Sequence, residues 1–136
     1  MEVKSIIVDV IPHSTQRYNT VGDWYFSLKE GELVIKVSET GNWKWNMCIA
    51  LHELTEAIAC TADGVTQEQV DEFDKSWKPN FGYEEPGEDP RAPYFEEHGF
   101  ASRIEEESFD FITFGLAVDE WKLYEAKLEE LMKSRE

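Results

Sequence analysis

His52, Glu53 and Glu56 fall together in the stretch Asn42 to Asp63, and on a helix their spacing suits them to a divalent metal ion. At about 100° per residue, Glu56 lies roughly 40° round from His52 and one turn further on, so an imidazole and a carboxylate project side by side. Glu53 follows His52 directly and points to the flank of that pair. The surroundings call for a compensating cation. Of the 18 residues from Trp43 to Cys60, 12 are apolar, and burying ionisable groups in such a helix costs on the order of several kcal/mol unless something pairs with them.

A catalytic zinc needs three protein ligands and an open position, and the chain has only three histidines. His52, Glu56 and His98 form the natural set of two imidazoles and one carboxylate. Tyr94, His98, Ser102 and Glu105 share one stripe of an expected helix from Pro93 to about Ser108. Glu105 is then either a fourth ligand or an acceptor that orients an imidazole from behind. If it ligates, the site becomes oxygen-rich and Fe2+ or Mn2+ competes with Zn2+. Tyr94, or Tyr18 beside Arg17, is a candidate to stabilise an oxyanion. Cys48 lies one turn before His52 and reads as buried filler or as a further ligand. Twelve residues of helix separate it from Cys60, about 18 Å, too far for a disulfide.

The elements that position these groups read as an α+β domain spanning residues 1–136, with a small antiparallel sheet of about three strands, a long central buried helix and three further helices. Ser5 to Ile11 is a β-branched run, apolar enough to be internal to a sheet. Trp24, Phe26 and Leu28, then Leu33, Ile35 and Val37, alternate with polar residues around a glycine turn and read as a hairpin. Asn42 is the expected N-cap of the central helix and Asp63-Gly64 its end. Thr66-x-x-Gln69 is a capping box opening a helix to about Trp77, with Asp71 and Asp74 on its polar side. Lys78 to Pro93 carries four prolines and two glycines, the composition of a lid, a binding loop or a disordered segment. A last helix from Leu116 to about Lys133 presents Ala117, Trp121, Tyr124, Leu128 and Leu131 as one seam, toward the domain or a second copy.

The formal charge is −16, from 29 acidic and 13 basic residues. This excludes a basic nucleic-acid surface and attachment to anionic lipid. No apolar run reaches membrane-spanning length and no secretory signal is apparent, so the expectation is a cytoplasmic protein with two free thiols.

His52-Glu53-Leu54-Thr55-Glu56 resembles the H-E-x-x-H helix of zinc metallopeptidases, the zincins, with glutamate in place of the second histidine. The sheet-then-helix order fits the same resemblance, which implies a strand along the substrate cleft, with Glu32 to Ser38 the candidate. More of the chain is similar to a small family of uncharacterised phage and prophage proteins. That similarity is carried by Gln16 to Trp24, Ala50 to Glu56, Val70 to Asp74 and Tyr94 to His98; it implies the cytosol of an infected bacterium and lends no substrate.

Together these features lead to a zinc-dependent hydrolase, peptidase-like, in which Glu53 activates a metal-bound water and a peptide or host protein is the partner. One alternative is a non-catalytic acidic phage protein whose structural metal supports binding to a host protein. The other is an oxygen-activating or two-metal site that adds Glu53 and Glu105 to the ligands.

Overall fold

Alternation in the first third of the chain builds the sheet, and the apolar helix that follows covers one face of it. The computed structural model describes residues 2–78, 83, 85–113 and 118–136. Strands β1 (Ser5–Ile11), β2 (Gly22–Phe26) and β3 (Glu32–Ser38) precede helices α1 (Trp43–Asp63), α2 (Gln67–Ser76), α3 (Phe95–Ile112) and α4 (Val118–Lys133). Single 3-10 turns lie at His13–Thr15 and Pro86–Glu88. The class is α+β, a three-stranded sheet followed by a long central helix and three more helices.

The sheet is mixed, in order β1-β3-β2. β2 and β3 form the expected antiparallel hairpin, Gly22 opposite Val37 through Phe26 opposite Leu33. β1 pairs parallel to β3, Ser5 opposite Glu32 through Ile11 opposite Ser38, so the expected antiparallel sheet is antiparallel in its hairpin and parallel at β1. The link from Pro12 to Val21 is long enough to step over one strand position, about 4.8 Å, and lets β3 slot between the two earlier strands. His13 and Gln16 anchor that link by hydrogen-bonding Ser38 Oγ.

Two further expectations change with this order. β3 is paired on both sides and has no free edge for a substrate strand. β1, read as internal from its continuous apolar character, is an edge strand whose residues 6–10 are exposed. A run that is apolar on both faces looks internal whether or not neighbours cover it.

The local signals of the helices hold. Asn42 accepts hydrogen bonds from the backbone of Lys44 and Trp45, and Gly64 ends α1 at φ 78°, a left-handed conformation that a Cβ disfavours. Thr66 and Gln69 form the capping box of α2. The third helix begins at Phe95 with Tyr94 as its N-cap residue and runs to Ile112, beyond the expected end at Ser108. Tyr124 of α4 is fully buried, with Trp121, Leu128 and Leu131 packed against the same core; Leu116 and Ala117 lie outside the described residues. Within the stretch from Lys78 to Pro93, the turn at Pro86–Glu88 packs on α3; residues 79–82 and 84 lie outside the description. No helix among the described residues is long and apolar enough to cross a membrane.

Candidate metal centre

Helix periodicity places His52 and Glu56 on one buried face of α1, and the packing of α3 against α1 brings His98 to the same point. His52, Glu56 and His98 are 9, 5 and 8% exposed, and each offers a ligand atom within 4.8 Å of the other two. His52 Nε2 lies 3.3 Å from Glu56 Oε2, and His98 Nδ1 lies 2.9 Å from the same oxygen. Two ligands about 2.1 Å from a tetrahedral ion are roughly 3.4 Å apart; the two contacts to Glu56 Oε2 lie within about 0.5 Å of that, and the full set lies within 4.8 Å, so closing round an ion takes a movement of up to about 1.4 Å. Two nitrogens and one carboxylate oxygen suit a divalent cation. Among the described residues this is the single group of its kind.

The remaining polar atoms of all three are held from outside. Glu105 Oε1 lies 2.8 Å from His52 Nδ1, and Tyr124 donates its hydroxyl to Glu105 Oε2 at 2.7 Å. Glu105 therefore stands behind His52, across the ring from Glu56. Trp24 of β2 donates its indole N–H to Glu56 Oε1 at 3.1 Å, leaving Oε2 for the cluster. His98 Nε2 lies 3.4 Å from Glu85 Oε2. The turn carrying Glu85 comes so close that a Cβ at Gly87 would collide with the His98 ring.

The charges follow from this packing. Burial alone would lower the two imidazole pKa values, but hydrogen bonds to Glu105 and Glu56 hold His52 well above its usual range. Bonds to Glu56 and Glu85 likewise raise His98 to about 10. Burial would raise Glu56, yet the hydrogen bonds from both histidines keep it far below an ordinary carboxylate. Without metal, two imidazolium ions thus offset the buried carboxylates. A cation that replaces their protons occupies the same electrostatic role.

Glu53 differs from its neighbours. It is 9% exposed, lines a cavity of about 110 Å³ beside the cluster, and makes no hydrogen bond to any described residue. Burial and the nearby Glu56 push its pKa well up. Gly22 of β2 backs directly onto it, leaving no room for a Cβ. Tyr94 also lines the cavity, 3% exposed, but its hydroxyl donates to Asp74 of α2. Burial raises Asp74 to about 7. Tyr18 also lines the cavity, while Arg17 beside it forks onto Asp23 at 2.7 and 3.0 Å and is therefore committed to a carboxylate.

Cys48 is fully buried, burial pushes its thiol up to about 11, and it is not among the residues whose ligand atoms converge, so it stands as filler. Trp24, Tyr124 and Glu85 are the supporting residues that sequence reasoning did not assign to the site. Only Trp24 carried a signal, as an inward position of an alternating strand next to a helix with charges to satisfy. No protein-family model, curated protein or solved structure matches the chain, so the reading of this centre rests on its own geometry.

Proposed function

We propose that the protein is a zinc-dependent hydrolase of peptidase-like type, with His52 Nε2, Glu56 Oε2 and His98 Nδ1 as the metal ligands. One observation carries the reading: the three ligand residues are braced from outside by Glu105, Trp24 and Glu85, while Glu53, on the same cavity wall, makes no hydrogen bond to any described residue. A structural site has no need of an unpartnered buried carboxyl beside it. Bound zinc supplies Lewis acidity, lowering the pKa of a water and polarising a carbonyl.

Glu53 receives the proton of the attacking water and later delivers it to the leaving amine. Its raised pKa suits it to both transfers near neutral pH. Glu105 and Tyr124 hold His52 in the tautomer that presents Nε2. Tyr94 contributes to an oxyanion site only if its hydroxyl turns from Asp74, so its first role is to seat Asp74 and wall the cavity. The edge of β2 is already occupied, by Gln67 at the Phe26 N–H and by Thr20 at the Gly22 carbonyl, so a substrate would reach Glu53 through the cavity rather than as an added strand. The likeness of the His52–Glu56 helix to the zincins and the resemblance to phage proteins support a peptide or a host protein as substrate, in the bacterial cytosol.

The test is Glu53→Gln, assayed for zinc content and for cleavage of a mixed fluorogenic peptide library. The expected result is full zinc and a loss of turnover of about 10²–10⁴-fold. A zinc-loaded wild type that cleaves nothing, together with a Glu53→Gln protein that keeps its biological effect, would instead establish the acidic binding protein with a structural metal.

A further inference from the structure

The outer edge of β1 is unpaired and apolar, and we propose that it is the seam of a homodimer, in which two β1 strands pair antiparallel about Val8 to make one continuous sheet. The inference does not depend on the metal centre.

The hydrogen-bond parity of the sheet sets the geometry. Ser5 donates its N–H to Gly31 O, and Ile11 O accepts from Glu39 N–H, so the odd-numbered residues of β1 turn their backbone groups toward β3. The N–H and C=O of Ile6, Val8 and Val10 point the other way, where the sheet has no further strand among the described residues. An antiparallel copy centred on Val8 sets Val8 against Val8 of the second copy and Ile6 against its Val10. Each of those outward groups then finds a partner.

The side chains agree. Ile6, Val8 and Val10 stand opposite Leu33, Ile35 and Val37 of β3, which are fully buried. That is the face covered by α1, since Trp24 stands opposite Ile35 and bonds Glu56. Yet Ile6, Val8 and Val10 remain 45, 41 and 40% exposed. The core face of the sheet thus runs on past the reach of its helix. A natural edge strand is ordinarily protected by lysine, proline or a bulge, and between Ser5 and Ile11 this one has only Asp9 as a charge.

Symmetry favours a second copy over a foreign strand, at salt sufficient to screen the −16 of each chain. Asp9 is paired with Lys36 at 2.7 Å, and in this register it falls opposite Ile7 of the second copy, so like charges do not meet. The apolar row is symmetric about Val8, and the partner supplies the same row. A single strand seam is small beside the roughly 1,200–2,000 Å² of stable specific interfaces, so the association should depend on concentration.

Light scattering on the full chain, from about 1 to 200 µM, should show the mass rising toward twice that of the monomer. Val8→Pro removes an outward N–H and no bond to β3, and should stay monomeric throughout. Because that variant risks misfolding, cysteine cross-linking tests the register independently. Val8→Cys should form an intermolecular disulfide on oxidation, its Cα atoms being about 5.5 Å apart. Ile6→Cys should not, being offset by roughly 14 Å along the strands. The wild type is the blank, because Cys48 and Cys60 are buried. A monomeric wild type at every concentration, or equal cross-linking of the two variants, would overturn the proposal.

Discussion

Glu105 Oε1 stands 2.8 Å from Nδ1 of His52, on the side of the ring away from Glu56. This places Nε2, not Nδ1, toward the cluster, and in the proposed centre Glu105 would act as an acceptor that orients His52 rather than as a fourth ligand. Glu105→Ala is expected to weaken zinc binding by about 10–100-fold, with Glu105→Gln recovering much of it, since an amide oxygen still accepts from Nδ1–H. Competition against a chromophoric chelator measures this. Equal affinity in all three proteins would leave Glu105 as a packing residue for Tyr124.

Glu53 is 9% exposed and makes no hydrogen bond to any described residue, and burial together with the nearby Glu56 disfavours its charged form, a cost in stability that a functional carboxyl can carry. Glu53→Gln should therefore melt higher than the wild type, by on the order of 1 kcal/mol of stability, while losing turnover. A lower melting temperature would show that the carboxyl is held by interactions that the amide cannot make.

Gly87 and Gly22 leave no room for a methyl group beside His98 and Glu53. Gly87→Ala should displace the His98 ring and lower zinc affinity, and Gly22→Ala should disturb Glu53 while zinc stays bound. Gly99 in α3 has its nearest prospective contact at 3.9 Å, the Arg103 side chain. Gly99→Ala should therefore stabilise by about 0.5–1 kcal/mol through helix propensity. Metal content and thermal melts of the three variants separate these effects.

His98 carries a pKa raised to about 10 in the metal-free protein, where burial is outweighed by bonds to Glu56 and Glu85. A histidine raised on folding adds stability that is complete below its unfolded value, about 6.5, and is lost as pH climbs through the folded value. Chelator-treated protein should therefore lose stability from pH 7 to 10. Zinc-loaded protein, whose ligand rings are neutral, should lose less over that window. Melting curves with and without chelator check it, and parallel pH profiles would argue against His98 as a ligand.

Much of the centre was legible because helices make spacing into geometry. His52 and Glu56 at i and i+4 share a face wherever that helix lies, and Asn42, Gly64 and the Thr66–Gln69 box mark ends through bonds to neighbouring backbone. The α+β class and the order of elements follow from the same short-range periods. What spacing along one element does not encode is which elements meet. His98 reaches Glu56 across 42 residues, Tyr124 holds Glu105 from another helix, and Trp24 bonds Glu56 from the sheet. β1 illustrates the same limit: its residues specify a strand, but whether it lies inside or at the edge depended on β3 slotting beside it. Local backbone chemistry determined the pieces, and the crossing of α1 with α3 and the order of the strands decided which polar atoms were paired, which carboxyl was left free and which edge stayed open.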